Sequence, residues 1–489
     1  MKVSILKIIQ RVFRHPFSFH NRMSKRWYSE HLYRSIVCFI AMSISMVNLP
    51  LTHAMSDDIL SEYETYLPNT AKDELERSEK KLLKAYLDSP NDAKLAKRLA
   101  INHILQTVKG NEYKLNKGEI LQHTIMTQYF LHRAKSLGSV DRWVDKALGR
   151  TQKRLHKLVN VAGPNSTAED HSAHDAFREA FHYKEQNRYM ALAKLLDDFV
   201  ADPNNVYTAF ALTAINLWIG GEADYDDPTV VYNFVLGSYF SLRAIDLARQ
   251  LEGAWLADPS QYTRFRMATI LGGFTALHRR WLASLHGDQQ ALAAINDEHR
   301  EWRLIHRSFH AFTVGIPFFE EESNFQEGLF AVIDGFAHCE EVPVRTCSNL
   351  PRFSFNRLSF VLTLVDFLIK AGDIEAAEQA LLYRFDPSET DYWAAWDLGR
   401  DAWEHRENHL LEIFQLYQND DPSDDPLHFQ LKRRKWGTNT TTCQTCHQTQ
   451  SKVWSKEEFN TIILPPEEVA TVGLWPKVST TWYGELSND

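Results

Sequence analysis

The 489-residue sequence predicts an all-α protein. Three observations carry that expectation. Between Ser56 and about Trp436 the apolar residues recur at intervals of three and four, the period of an amphipathic helix. Alternating apolar and polar runs bounded by turn residues, which half-buried strands need, are almost absent. Polar corners containing proline stand between one helical pattern and the next. The composition agrees. Hydrophobic residues make up 44% of the chain, enough for a large core, and 20 Gly with 17 Pro are too few for a collagenous or low-complexity polypeptide. At roughly 100–200 residues per domain the length suits two to four domains, or one extended array.

The first 54 residues read as an export signal. They hold eight basic residues (Lys2, Lys7, Arg11, Arg14, Arg22, Lys25, Arg26, Arg34) and a single acid, Glu30. The uncharged apolar stretch Ile36–Leu51 follows, and Thr52-His53-Ala54 closes it with a small-x-small pattern. The stretch is shorter than the roughly 20 apolar residues that cross a bilayer comfortably, which favours cleavage over a retained anchor. Met23 opens a signal of more usual length and is the expected true start. The sequence therefore predicts a signal peptide over residues 1–54, a helical body over 55–435 and a short C-terminal segment over 436–489. The mature protein would be periplasmic or secreted and would keep no stable transmembrane anchor.

Within the body, Leu82, Leu83, Tyr86 and Leu87 form one helical stripe, and Leu358, Val361, Leu362, Val365, Leu368 and Ile369 another. Corners are expected at Ser89-Pro90-Asn91-Asp92, Asp202-Pro203-Asn204-Asn205, Asp258-Pro259-Ser260 and Asp386-Pro387-Ser388. Proline is tolerated there in a first turn, and the polar residues can cap exposed N–H groups. Gly372-Asp373-Ile374 opens a further segment, Glu375-Ala376-Ala377-Glu378-Gln379-Ala380-Leu381-Leu382-Tyr383, before the Asp386 corner. Its alanines permit close helix approach and Gly372 a tight turn. This segment resembles a tetratricopeptide repeat, and Tyr189–Leu196 running into Asp202 is a looser relative. The corner spacing is too irregular for a strict array of about 34 residues. The resemblance implies an irregular helical-repeat solenoid with concave protein-binding surfaces; a non-repeating helical bundle is the alternative.

The chemistry is concentrated near the C-terminus. Cys443-Gln444-Thr445-Cys446-His447 has the Cys-x-x-Cys-His form of a c-type haem attachment site. Two thiols at this spacing can form thioethers to the vinyl groups of one haem, and the adjacent imidazole supplies a proximal axial nitrogen. With five Cys and 21 His in the chain, accidental matches are expected on the order of 0.002 times. Export would also place the cysteines in an oxidising space, where disulfides or cofactor attachments are expected. Cys339 and Cys347, with Pro343 between them, suit a short disulfide loop. The alternatives are a redox or structural disulfide between Cys443 and Cys446, or a zinc site made by all four thiolates.

Gln450, Trp454 and Ser455 follow His447 at offsets that resemble the haem segments of multihaem c-type cytochromes. The resemblance spans about a dozen residues and implies one covalent haem c and electron-transfer chemistry. It departs from the pattern in two ways: the chain has a single Cys-x-x-Cys-His, and no histidine follows His447. The last methionine is Met267, so a sixth iron ligand has to come from the body or be absent. His428 is the nearest candidate upstream, followed by His405 and His409. The last two lie four apart, on one helical face. His299, His306 and His310 share another face, and His171, His174 and Asp175 form a weaker cluster.

No glycine-rich phosphate loop, Gly-x-Ser-x-Gly elbow or kinase motif set is present, and the carboxylates are too scattered to nominate an acid–base pair. The sequence thus predicts an exported c-type haem protein working in electron transfer or redox sensing, with a protein redox partner or envelope complex. A non-enzymatic tetratricopeptide-like scaffold with structural disulfides is one alternative, and a peroxidase-type haem oxidoreductase is another. The formal charge is −9. Removing residues 1–54 takes away eight basic groups and one acid, leaving 46 Lys+Arg against 62 Asp+Glu and a charge of −16. Such a balance disfavours nucleic acid as a partner and favours steering toward a basic one.

Overall fold

A computed structural model describes residues 71–139, 142–159, 185–222, 227–256, 262–302, 319, 324–341, 356–382 and 396–419. The chain divides into two compact units, Met1–Ser78 and Glu79–Asp489. The expected boundaries after residues 54 and 435 lie outside the described residues, as do the corners at Asp258 and Asp386. Among the described residues there are thirteen α-helices and no strand, as the apolar spacing predicts. They are α1 (Lys72–Asp88), α2 (Ala93–Val108), α3 (Lys117–Ser136), α4 (Arg142–Val159), α5 (Glu185–Ala201), α6 (Val206–Glu222) and α7 (Thr229–Leu256). After them come α8 (Tyr262–Leu285), α9 (Gln289–Trp302), α10 (Phe325–Glu341), α11 (Asn356–Ala371), α12 (Ile374–Leu381) and α13 (Trp396–Gln418). No helix among the described residues is long and apolar enough to cross a membrane.

The corners work by capping. The Asp92 carboxylate accepts from Lys94 N at 2.7 Å and Leu95 N at 3.3 Å, starting α2 directly after Pro90. Asn205 Oδ1 accepts from Tyr207 N at 3.0 Å and Thr208 N at 3.1 Å, starting α6 after Pro203. Asp373 takes Ala376 N at 3.1 Å, and Gly372 turns the chain at φ +83°, a left-handed conformation that glycine adopts without steric penalty. Asn116 and Glu119 add a reciprocal capping box at the start of α3, each side chain taking the other's backbone N–H at 2.7 Å.

Packing follows chain order with cross-links. Helix α3 lies against α2, α4, α5 and α7; α6 lies against α5, α7 and α8; α8 continues to α9. A second set joins α10 to α11, α11 to α12 and α13, and α12 to α13. Contacts between helices two apart, α3 with α5 and α6 with α8, are the kind that stacked hairpins make. Helix lengths from 8 residues in α12 to 28 in α7 follow no fixed period. In α12 the small residues Ala376, Ala377 and Ala380 are buried, consistent with close approach to α11 and α13.

Three helices depart from the amphipathic pattern. Every residue of 230–242 in α7 and of 361–369 in α11 is buried, and so is 206–216 in α6 apart from Phe210. A helix that is apolar all round belongs inside. Three of the polar residues these helices carry inward bond back to their own turns: Thr213 Oγ1 to Ala209 O at 2.9 Å, Asn216 Nδ2 to Leu212 O at 2.7 Å and Asn233 Nδ2 to Thr229 O at 3.1 Å. The α10–α13 set closes over Lys370, whose ammonium donates to Phe319 O at 2.9 Å and sits 4.5 Å from the Phe319 ring centroid, with Phe325 and Tyr417 beyond.

At the α7–α8 contact, Gly237 faces the ring of His278, which donates from Nε2 to Thr213 O at 3.0 Å and meets Phe234 edge-on at 5.6 Å. A Cβ at position 237 would fall inside the van der Waals envelope of that ring. Gly237→Ala is therefore expected to destabilise the protein by about 1–3 kcal/mol through overpacking. Chemical denaturation checks this; an unchanged midpoint would show that the imidazole moves aside freely.

Candidate functional site

Among the described residues a group of buried polar side chains lies between α1, α2, α3 and α7, wholly within the Glu79–Asp489 unit. The buried face of α2 runs Leu95, Leu99, Asn102, His103 and Gln106, so helical spacing carries three polar side chains inward with two leucines. Helix α3 packs on α2 and presents His123 to His103, their Nδ1 atoms 3.1 Å apart. Glu79 comes from α1 and Tyr232 from the first turn of α7.

The hydrogen bonds fix these groups on one another. The Tyr232 hydroxyl donates to Glu79 Oε1 and lies 3.2 Å from His103 Nδ1. Gln106 Nε2 donates to Glu79 Oε2 and, at 2.7 Å, to Asn102 Oδ1. The His103 ring stacks on Phe130, with centroids 5.8 Å apart and planes at 7°, and meets Tyr232 edge-on at 5.4 Å. Glu79, His103 and Tyr232 are buried and His123 is half-exposed. Burial, with His123 adding to it, holds His103 well below the ordinary imidazole pKa, so its ring is neutral at physiological pH. One ligand atom from each of Glu79, His103 and His123 lies within 4.8 Å of the other two. Two imidazole nitrogens and a carboxylate oxygen at such spacing are a donor set for a metal ion.

A second cluster joins α1 and α3 to the corner after α8. The hydroxyls of Tyr86 and Tyr129 lie 2.9 Å and 3.0 Å from His286 Nε2, and Asn91 Nδ2 donates to His286 O at 3.1 Å. Arg133 holds Asn91 from α3 at 2.7 Å. Burial, reinforced by the Arg133 charge, lowers the His286 pKa to about 3. The arrangement ties three elements together by the edges of their rings.

The residues expected from the sequence to act as a site are placed unevenly. Cys443, Cys446, His447, His428 and Cys347 lie outside the described residues, as do His306, His310 and the His171, His174 and Asp175 cluster. Cys339 falls on the last turn of α10. His405 and His409 share a face of α13, their ring centroids 4.9 Å apart, and α13 departs from helical backbone angles at His409. His409 Nδ1 donates to Glu412 Oε2 at 2.9 Å. Sequence reading missed Glu79, His103, His123 and Tyr232. The available signal was Asn102, His103 and Gln106 on a face that the helical period buries; the partners are 20 or more residues away and have no local mark.

No family model, curated protein or solved structure matches the chain.

Proposed function

We propose that the protein is an exported c-type haem protein acting in electron transfer or redox sensing, with the helical body as pocket and partner surface. The observation that carries this reading is the sequence Cys443-Gln444-Thr445-Cys446-His447. Cys443 and Cys446 would hold the macrocycle through thioethers and His447 would hold the iron. Bound haem supplies one-electron chemistry, with a potential set by its axial ligands and surroundings. The basic, apolar and small residues before Met55 support delivery to an oxidising space.

His409 supports the same reading from the helical side. Its Nδ1–H is held by the Glu412 carboxylate, which orients the ring, so that Nε2 would be the nitrogen to coordinate iron. A carboxylate behind an imidazole is a recurring support for a metal-ligating histidine. His405 and His428 are the competing distal ligands. A charge near −16 after signal removal favours a partner with a basic docking face.

Periplasmic production of the full chain is expected to yield a Soret band and haem that stays with the polypeptide after denaturation. Cys443→Ala together with Cys446→Ala should remove essentially all of it. The absence of both signals from the unsubstituted protein would overturn the reading in favour of a disulfide-bonded scaffold. His409→Ala, His405→Ala and His428→Ala identify the sixth ligand by which of them changes the reduced spectrum.

A further inference from the structure

We propose that Glu79, His103 and His123 bind one divalent transition-metal ion, separate from any haem, with Tyr232 closing the fourth side. The spacing is that of a ligand set. Metal–nitrogen bonds of about 2.0–2.1 Å put neighbouring ligand atoms roughly 2.9–3.4 Å apart in octahedral or tetrahedral coordination. His103 Nδ1 and His123 Nδ1 are 3.1 Å apart, and the Tyr232 hydroxyl is 3.2 Å from His103 Nδ1. All three proposed ligands stand on helices, which hold side chains more accurately than loops.

The groups around the ligands point the same way. Gln106 donates to Glu79 Oε2 and is itself tied to Asn102, so Oε1 stays on the Tyr232 hydroxyl, and one oxygen of Glu79 lies within 4.8 Å of both imidazole ligand atoms. Phe130 stacks on His103 and fixes the plane of its ring. His123, half-exposed, gives an ion a route from solvent.

The Nδ1 atoms of His103 and His123 face each other at 3.1 Å. A metal ion between them takes a lone pair from each, and His103 then carries its proton on the buried Nε2. Two imidazoles with one carboxylate select zinc or another first-row ion such as iron(II) over magnesium and calcium, which take oxygen ligands. Three protein ligands leave a coordination position for Tyr232 or water.

The test uses the full chain with Cys443→Ser and Cys446→Ser, so that neither haem nor thiolate at the tail contributes, stripped with chelator and dialysed against Co²⁺ or Zn²⁺. One ion per chain is expected, with visible Co²⁺ absorption bands. His123→Gln, at a half-exposed position where folding should persist, is expected to weaken binding by at least about 100-fold. Gln106→Leu, which removes only the support of Glu79, should weaken it by roughly 10–100-fold, with helical content followed by circular dichroism in each case. No bound ion in the parent overturns the proposal, and so does binding that both substitutions leave unchanged. Because the parent lacks the haem cysteines, failure here is distinguishable from failure of the haem reading.

Discussion

Replacing Asp366 by Ala is expected to destabilise the α10–α13 helices by about 3–5 kcal/mol. Asp366 stands on α11 and Arg406 on α13. Arg406 Nε donates to Oδ1 at 2.5 Å and Nη2 to Oδ2 at 2.9 Å, a two-pronged pair with both side chains only 3% exposed. Removing the carboxylate takes two charge-assisted hydrogen bonds from a buried guanidinium that cannot lose its charge. The energy lost is mainly the penalty for burying that charge without its counter-ion, so Asp366→Leu combined with Arg406→Met should cost far less than Asp366→Ala alone. Urea unfolding of the single and double variants separates the two contributions. A single variant within 1 kcal/mol of the parent, or a double variant as unstable as the single, would sink the argument.

Acidification between pH 6.5 and about 4 is expected to weaken the fold steeply, with His278 responsible for about 3 kcal/mol. His278 is buried against α7, and burial lowers its pKa to about 4, with the hydrogen bond to Thr213 O opposing the shift. The folded protein therefore holds the ring neutral where the unfolded chain, titrating near 6.5, takes up a proton. The contribution is fully present above pH 6.5 and is lost as the pH falls through 4. His286, at about 3, and His103, well below the ordinary value, act in the same direction. His278→Gln keeps an N–H for Thr213 O and removes the titration. Its unfolding free energy should change by about 3 kcal/mol less than the parent's between pH 7 and pH 4. Equal pH slopes for the two proteins would show that His278 does not set the acid limit.

The helical class was legible because helices mark themselves locally. Leu82, Leu83 and Tyr86 are buried at the spacing that predicts them, and Asp92, Asn205 and Asp373 cap the helices that their corners announce. The enclosure of residues 230–242 in α7 and 361–369 in α11 was less legible, because a run of apolar residues does not say how many neighbours will cover it. The metal-like cluster was hardest to see. His103 and His123 are brought together by the antiparallel course of α2 and α3, and Glu79 and Tyr232 arrive from helices 153 positions apart. Local spacing holds no record of such a meeting. Only the polar residues on the buried face of α2 hinted that something inside required them.

Helix α7 has a mechanical consequence. At 28 residues it is a rod about 42 Å long, with Tyr232 in its first turn and Gly237 pressed against His278 slightly more than one turn later. A helical rod buried along 230–242 yields there by shifting as a unit more readily than by bending at one residue. A push on Gly237 from the His278 side is thus delivered to Tyr232, and tightening around Glu79 is delivered back. The two polar centres are neighbours along a stiff strut, and disturbances made at both should not add as independent events.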